Sequence, residues 1–309
     1  MSGNYKYRKN RNIVKAVFSS ARPYQWTKNL IIYAALFFTL GETWTLDDSQ
    51  EILRLVSKTT IGFIVFSGAT SSVYIFNDVL DAEKDRNHPK KKNRAIAAGA
   101  ISAKPALVVA CLAATAALFG SYFLTPHYGF IVSLYLLVMI GYSVYLKNII
   151  IVDVMTISSG FVMRAAAGAV VIGANISPWL YICTGLGALF IGFAKRLNEK
   201  NVAGENAFLQ RSTLEEYSIK FLEQLISIVG TSTLVSYALY TFTANNSPDS
   251  NAMMLTIPFV AYGLFRYIYL VQNKDLGEVP EQILFKDIPL TLTILAWLAT
   301  ISTIFLYYK

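Results

Sequence analysis

Three aspartates and an asparagine lie close together within Tyr74–Gly99, where an apolar segment ends. Asp78, Asp81 and Asp85 are spaced i, i+3 and i+7, so a continued helix places all three carboxylates on one face. Carboxylates stacked in this way repel one another unless a cation lies between them, and Mg²⁺ takes oxygen ligands that it shares with substrate phosphates. The motif therefore predicts a Mg²⁺ site in which the three aspartates are catalytic and Asn77 is a fourth ligand.

Basic residues follow the aspartates directly. They are Arg86, Lys90, Lys91, Lys92 and Arg94. A Mg²⁺ site beside a cationic loop suits a diphosphate, and we expect Asn77, Lys91 and Arg94 to bind that substrate group. The alternative is a solvated helix end with balanced charge.

A second polar group flanks a short turn between two apolar segments. Tyr142 and Lys147 precede Asp153 in the stretch YSVYLKNIIIVD. Together they predict the wall of a polar pocket, with Tyr142 and Lys147 binding substrate and Asp153 acting catalytically. Lys147 alone would be interpreted as a basic anchor at the cytoplasmic interface.

Arg164 lies inside an apolar segment. It follows Asp153 by 11 residues, which is about 16 Å and close to three turns along a helix, so both side chains face the same way. An intramembrane arginine is costly and is a functional candidate by default. We expect Arg164 to bind a lipid phosphate or to fix Asp153, and the alternative is a structural pair with a neighbouring helix. Gly160 and Gly168 on the same segment favour close helix packing.

Two further basic groups lie at segment ends. Lys195 and Arg196 precede Glu199, and we expect both basic residues to bind phosphate, although Arg196 and Glu199 could form a simple i, i+3 pair. Lys28, at the entry to the first segment, is a third candidate phosphate ligand. Lys28 and Arg22 could equally be interface anchors.

The composition shows what must position these residues. Of 309 residues, 54% are apolar and 15% are charged, whereas soluble domains are about 45–50% apolar and about 25% charged. Nine apolar segments are visible, and all but the first are close to the length of a membrane span. They cover approximately residues 29–40, 59–80, 103–123, 129–146, 153–173, 177–194, 221–243, 252–271 and 288–307. The first is short as an uninterrupted run but extends back through Trp26 and forward through Trp44. Because backbone groups in lipid must be satisfied internally, each span is helical, and we predict an all-α polytopic membrane protein with about nine transmembrane helices.

Basic residues indicate the orientation. The N-terminal tail, the second-to-third loop and the sixth-to-seventh loop hold 19 of the 27 lysines and arginines, and all three fall on one side of a nine-helix chain. By the positive-inside rule the N-terminus is cytoplasmic, and the candidate site faces the cytoplasm across the inner (plasma) membrane. The net charge of +8 lies at membrane ends, which does not support nucleic-acid binding.

The N-terminal region, residues 1–28, is predicted to be a cytoplasmic tail. Residues 11–22 form a short interfacial helix in this prediction, with Ile13, Val14, Val17 and Phe18 on one face. No linker or internal repeat divides the chain, so residues 1–309 form a single membrane-embedded domain.

The acidic motif resembles a known family. NDxxDxxxD at Asn77–Asp85 is similar to the first acidic motif of the UbiA superfamily of intramembrane prenyltransferases. In aromatic prenyltransferases of that superfamily a second motif, DxxxD, follows the sixth helix. The corresponding place here reads Lys195-Arg196-Leu-Asn-Glu199. This departure disfavours a second metal cluster and supplies cations for additional phosphate.

A narrower branch resembles this chain along nearly its whole length. RPYQWTKN, NDVLDAEKDRNHPKKKNRAIAAG, YSVYLKNIIIVDV, GFVMRAAAG, GFAKRLNEK and the stretch Gly277–Trp297 are similar to the decaprenyl-phosphate phosphoribosyltransferases. The resemblance implies Mg²⁺-dependent transfer of 5-phosphoribose from phosphoribosyl pyrophosphate to a polyprenyl phosphate, with release of pyrophosphate. Asp153 would then bind a ribose hydroxyl. Glu278, Pro280 and Glu281 fit the branch without an evident physical role, and a homo-oligomer is possible.

Two other functions compete with this one. The first is prenyl transfer from a prenyl diphosphate to an aromatic acceptor, which shares the acidic motif and the fold. The basic pair Lys195-Arg196 argues against it. The second is a transporter or a non-catalytic membrane scaffold, which explains nine helices and Arg164 but leaves the acidic motif without a role, since transporter sites tend to lie near the membrane midplane.

Overall fold

The computed structural model is an almost entirely helical bundle. The structure describes residues 13–40, 44–45, 47–88, 91–175, 177–203, 213–243, 251–274, 283 and 286–308. Within these ranges there is no β-strand, and one isolated bridge joins Leu40 and Trp44. The all-α prediction is therefore confirmed.

Twelve α-helices of the described residues are labelled here in chain order. The short ones are α1 (Ile13–Ala21), α2 (Ile32–Phe38), α4 (Ala82–Arg86) and α9 (Thr213–Glu216). The long ones are α3 (Ser49–Leu80), α5 (Ala103–Leu124), α6 (Pro126–Val144), α7 (Val152–Ile172), α8 (Pro178–Ala203), α10 (Ile219–Thr243), α11 (Ile257–Lys274) and α12 (Ile288–Tyr308). Eight helical segments, corresponding to these long helices, are long and apolar enough to cross a membrane, counted over the described ranges only.

The first predicted span differs from the other eight. It consists of a 3-10 helix, Pro23–Ile31, followed by the short helix α2. At rises of 2.0 and 1.5 Å per residue the two pieces together measure roughly 28 Å, close to the ~30 Å of a hydrocarbon core. Two side chains hold the 3-10 segment against α3, because Trp26 Nε1 donates to Ser71 Oγ at 3.0 Å and Asn29 Nδ2 donates to Ser67 Oγ at 2.9 Å. The count of nine spans and the cytoplasmic N-terminus remain predictions.

The N-terminal helix exposes the predicted apolar face except at Val17, which packs against the buried cluster that contains Ala16 and Ile75. In α1, Ile13, Val14 and Phe18 are exposed, whereas Ala16 and Ser20 are buried against the bundle. A helix that packs against α3 and leaves apolar side chains exposed is typical of a helix lying in the membrane–water interface. Residues 11 and 12 of the predicted helix lie outside the described residues.

The helices α3 and α7 are the most buried of the eight candidate spans. In α7 the small residues Ala165–Ala169 are all buried, which lets neighbouring helices approach closely. A Cβ atom placed on Gly168 would lie 2.1 Å from the backbone oxygen of Ile32 in α2. The expected packing role of Gly168 is therefore visible, and α7 occupies the centre of the bundle.

The acidic motif does not lie on one continuous helix. Helix α3 ends at Leu80, Asp81 has φ −91° and ψ 4°, and α4 begins at Ala82. The backbone bends at Asp81 because this residue leaves the helical region. The prediction that a continued helix aligns Asp78, Asp81 and Asp85 on one face is therefore wrong in its geometry, although the three residues remain neighbours.

Candidate active site

Two of the three aspartates share one arginine. Arg94 Nη1 donates to Asp85 Oδ2 at 2.7 Å and to Asp78 Oδ1 at 3.2 Å. Arg22, which has a left-handed backbone (φ 51°), reaches the same Asp78 oxygen. Both aspartates are buried, whereas Arg94 is about one quarter exposed. The N-terminal segment and the loop after α4 therefore meet at the end of α3.

Asp81 points in another direction. Its Oδ1 accepts from Lys147 Nζ at 2.7 Å, and its Oδ2 accepts from Asn77 Nδ2 at 3.0 Å. Lys147 lies in the turn between α6 and α7, so this ion pair brings the two predicted polar groups together. Charge-assisted bonds of this length are among the stronger hydrogen bonds in proteins.

The donor chemistry of this group suits a hard divalent cation. Within the described residues, no three His, Cys, Asp or Glu side chains converge closely enough to hold a metal ion in the present arrangement. However, one guanidinium nitrogen of Arg94 is within hydrogen-bond distance of both Asp78 and Asp85. A cation therefore already bridges these two carboxylates, and with Asn77 and Asp81 they supply the oxygen ligands that Mg²⁺ prefers.

A second, more deeply buried cluster forms where α7 begins and α8 ends. Asp153 is fully buried and accepts at Oδ2 from Arg196 Nε at 2.8 Å. Arg196 Nη1 also donates to Glu199 Oε2 at 2.5 Å, so the simple Arg196–Glu199 pair of the sequence alternative exists as well. Tyr142 lies close enough to interact electrostatically with Arg196. Asp153 and Arg196 are therefore in direct contact, with Tyr142 within electrostatic range of Arg196.

Sequence reasoning missed Tyr217. Its hydroxyl donates to Asp153 Oδ1 at 2.9 Å and accepts from the backbone N–H of Ile151 at 2.8 Å. Burial, and then the negative charge of Asp153, raise the pKa of Tyr217, which keeps the hydroxyl protonated as a donor. The residue lies within the basic sixth-to-seventh loop and belongs to no motif, so only the tertiary structure identifies it.

Arg164 does not reach Asp153, and that expectation is wrong. Its three nitrogens donate to Asn29 Oδ1 at 2.7 Å, to the Gly160 carbonyl at 2.7 Å and to the Tyr135 hydroxyl at 2.9 Å. Asp153 pairs with Arg196 instead, because eleven residues of helix separate it from Arg164 along the axis of α7. The contacts of Arg164 favour the structural alternative, in which it joins α7 to α6 and to the 3-10 helix. Its binding of a lipid phosphate stays a prediction.

The remaining candidates lie around the two clusters. Lys28 is half-buried at the end of the 3-10 helix Pro23–Ile31. Lys91 begins a 3-10 turn, and its backbone N–H donates to His88 Nδ1 at 3.2 Å. Lys195 is 40% exposed and lies 3.9 Å from Glu199. Lys90, Glu278, Pro280 and Glu281 lie outside the described residues.

The site as a whole consists of basic side chains that are ion-paired with carboxylates at one end of the bundle. The carboxyl ends of α3 and α8 and the amino end of α7 carry both clusters. The cations Arg22, Arg94, Lys147 and Arg196 each contact a carboxylate. A phosphate-bearing substrate that binds together with a divalent cation would replace these ion pairs. Its phosphates would attract the basic side chains, and the metal would attract the carboxylates.

The chain is similar to known proteins in sequence and in fold. A family model described as the UbiA prenyltransferase family matches residues 31–286. The decaprenyl-phosphate phosphoribosyltransferase of Mycobacterium tuberculosis is 34% identical over 291 residues, which cover 94% of each chain. The protein of the same name from Mycolicibacterium smegmatis is 32% identical over 94% of this chain and 93% of its own. Among solved structures, a UbiA homologue from Archaeoglobus fulgidus bound to GPP and Mg²⁺ superposes with a TM-score of 0.71 at 16% identity, covering 94% of this chain and 99% of that one.

Proposed function

Because the chain belongs to the UbiA prenyltransferase family, we propose that it transfers 5-phosphoribose from phosphoribosyl pyrophosphate to a polyprenyl phosphate and releases pyrophosphate. The observation that carries this proposal is the 34% identity to a decaprenyl-phosphate phosphoribosyltransferase over 94% of both chains. The buried Arg196, held by Asp153 and Glu199 where aromatic prenyltransferases carry acidic residues, supports it further.

In this proposal the acidic cluster holds Mg²⁺ on the diphosphate of the donor. Asn77, Asp78, Asp81 and Asp85 supply its oxygen ligands. When bound, Mg²⁺ neutralises charge on the leaving pyrophosphate. The A. fulgidus homologue was solved with Mg²⁺, which is consistent with a divalent metal here.

Basic residues hold the phosphate groups of both substrates. Arg94 and Lys147 lie beside the aspartates, so they are placed to take phosphate oxygens as the carboxylates turn to the metal. Arg196 presents a planar guanidinium, which suits bidentate phosphate contacts. Lys28, Lys91 and Lys195 lie around these groups as further candidates. Asp153 acts mainly by holding Arg196, and its contact with a ribose hydroxyl stays a prediction.

The chemical step needs little proton transfer. One oxygen of the lipid phosphate attacks C1 of the ribose while the bond from C1 to the diphosphate oxygen breaks, and pyrophosphate leaves with that electron pair. A phosphate monoester has a second pKa near 6 by analogy with phosphoamino acids, so the nucleophile is already ionised at neutral pH. The protein therefore contributes mainly positioning and charge stabilisation.

The location follows from the two substrates. A lipid phosphate presents its head group at the membrane surface, and a sugar diphosphate arrives from water. We propose that the end of the bundle bearing both clusters faces the cytoplasm across the inner (plasma) membrane, because the basic residues Arg22, Arg94, Lys147 and Arg196 lie at that end.

Prenyl transfer to an aromatic acceptor is the second candidate. The observation in its favour is the fold, which is shared with a homologue solved with GPP. Against it, the end of α8 carries Lys195 and Arg196 where a second acidic motif would lie. A donor competition experiment separates the two functions.

The test uses purified full-length protein in lipid nanodiscs with Mg²⁺. One reaction contains labelled phosphoribosyl pyrophosphate and decaprenyl phosphate, and the other contains geranyl diphosphate and 4-hydroxybenzoate. We expect a labelled, chloroform-soluble sugar lipid from the first reaction only. A prenylated aromatic product, or no product in the first reaction, would contradict the proposal.

A matched pair of variants ties the activity to the acidic cluster. Asp81→Asn removes one proposed metal ligand and should abolish most of the activity. Asp48→Asn changes the same residue type at the N-cap of α3, where asparagine caps as well as aspartate does, and should leave activity unchanged. Full activity of Asp81→Asn would refute its metal role.

A further inference from the structure

The Tyr217 hydroxyl connects two parts of the site. Tyr217 is fully buried just after α9, and its ring stacks on Phe221 with centroids 6.4 Å apart. The hydroxyl accepts the N–H of Ile151 and donates to Asp153. One side-chain atom therefore fixes both the backbone that precedes α7 and the carboxylate in its first turn.

The backbone at Ile151 has an uncommon conformation. Its φ of 67° and ψ of −48° are rare for a β-branched residue. The N–H of Val152 donates to the Ile150 carbonyl at 2.7 Å, which closes a three-residue γ-turn of the strained, positive-φ type. Such a backbone persists only where its surroundings over-determine it, and it tends to occur at functional sites. Tyr217 supplies one of these constraints, since it takes the N–H of Ile151.

The other Asp153 oxygen connects this turn to Arg196. Asp153 and Arg196 are buried, and Glu199 holds a second nitrogen of the guanidinium. A continuous series of hydrogen bonds therefore runs from Ile151 through Tyr217 and Asp153 to Arg196. A shift of the Tyr217 hydroxyl would remove the bond that holds Asp153 Oδ1, and the constraint that Asp153 places on the Arg196 guanidinium would weaken.

The segment that carries Tyr217 is itself fastened to α8. Lys200 Nζ donates to the Leu214 carbonyl at 2.6 Å and to the Glu215 carbonyl at 3.3 Å. Leu214 is fully buried. The segment Thr213–Tyr217 is thus held against the same helix end that bears Arg196.

We propose that Tyr217 is a positioning residue that sets the orientation of Arg196 for a phosphate group of the sugar diphosphate, acting through Asp153 and the turn at Ile151. This inference rests on the proposed function, in which Arg196 binds phosphate. Tyr217 itself touches no substrate. Its contribution is to hold the guanidinium ready before the donor arrives, which lowers the ordering cost of binding.

The first measurement is independent of activity. Hydrogen exchange of the full-length protein in nanodiscs is followed for the peptide that covers residues 149–155. Tyr217→Phe keeps the ring but removes the acceptor for the Ile151 N–H, so exchange of this amide should accelerate by about tenfold or more. The matched control is Tyr240→Phe, because the Tyr240 hydroxyl is buried and has no hydrogen-bond partner among the described residues. It should leave exchange of this peptide unchanged.

The second measurement separates positioning from simple structural support. Loss of a hydrogen bond to the charged Asp153 should raise the KM for phosphoribosyl pyrophosphate roughly 10- to 100-fold with a smaller change in kcat. A purely structural role would lower kcat with the folded fraction and leave KM unchanged. Because Tyr217 acts through Asp153, Tyr217→Phe should add less than about threefold in an Asp153→Asn background.

The outcomes are distinct. An inactive wild-type protein overturns the proposed function of the chain. An active wild type with unchanged exchange at Ile151, an unchanged donor KM or additive effects in the double variant overturns the role of Tyr217. Faster exchange together with a raised KM and non-additivity supports it.

Discussion

Replacing Gly168 by alanine tests the close approach of α7 to α2. A Cβ atom at this position lies 2.1 Å from the Ile32 carbonyl oxygen and 2.9 Å from its carbon, whereas ordinary contacts are 3.4–4 Å. Both atoms belong to the backbone, so no side-chain rotation relieves the overlap, and the two helices must separate by about 1 Å or more. Overpacking of this kind costs about 1–3 kcal/mol.

The separation also affects a hydrogen bond one turn away. Asn29 precedes Ile32 by one 3-10 turn, and Arg164 precedes Gly168 by one α-helical turn, so the 2.7 Å bond between Asn29 and Arg164 crosses the same interface. Weakening a hydrogen bond to a charged group costs about 1.5–3 kcal/mol. Alanine regains about 1 kcal/mol of helix propensity over glycine. Combining these contributions, we expect Gly168→Ala to lower the free energy of unfolding by about 1.5–5 kcal/mol.

The control is Gly187→Ala in α8, where a Cβ atom meets none of the described residues within 4 Å. This variant should be as stable as the wild type or up to about 1 kcal/mol more stable. Thermal unfolding of both purified variants in the same detergent is followed by the intrinsic fluorescence of the four tryptophans. Gly168→Ala should melt several degrees below Gly187→Ala. Equal melting temperatures, or a higher one for Gly168→Ala, would refute the steric reasoning.

Three further predictions concern the charges and the metal. Arg196→Met should destabilise the protein by about 3–5 kcal/mol because it removes the guanidinium that pairs with the buried Asp153. Adding Asp153→Asn should recover part of that loss in a thermal melt. A double variant less stable than Arg196→Met would contradict this prediction. Lys147→Met should weaken binding of the sugar diphosphate but strengthen Mg²⁺ binding, because the ammonium competes with the metal for Asp81. Calorimetry with Mg²⁺ alone measures the Mg²⁺ affinity, with Lys58→Met in α3 as the control. An unchanged or weaker Mg²⁺ affinity of Lys147→Met would refute the competition. Removal of divalent ions with EDTA should abolish sugar transfer and excess Mg²⁺ should restore it, so product formation at full rate in EDTA would exclude the metal.

The sequence predicted the helical architecture well because hydrophobic length determines it. Eight of the nine predicted segments correspond to long helices, since a membrane admits few other structures for an apolar segment of about 20 residues. The first segment was harder to predict. Its 3-10 geometry depends on bonds from Trp26 and Asn29 to α3, which are contacts between elements that local sequence does not encode.

The sequence predicted which candidate residues lie near one another better than it predicted which of them pair. Residue type and spacing identified Asp78, Asp81 and Asp85, but the bend at Asp81 sends this carboxylate to Lys147 rather than to its neighbours. Helical periodicity likewise predicted that Arg164 and Asp153 lie on one side of α7. They do not meet in the structure because eleven residues separate them along the helix axis. Which cation meets which carboxylate is decided by tertiary packing, and spacing within a single helix carries no information on it.

Arg164 also places a buried positive charge inside the bundle, and this charge repels other cations. Its guanidinium is buried, and among the described residues it has neutral hydrogen-bond partners and no carboxylate. At a distance of 10 Å and an effective dielectric constant of about 20, its charge repels another unit cation by about 1.7 kcal/mol. That energy lowers the local concentration of a cation more than tenfold. The buried charge of Arg164 thus disfavours the approach of a second cation to this part of the bundle.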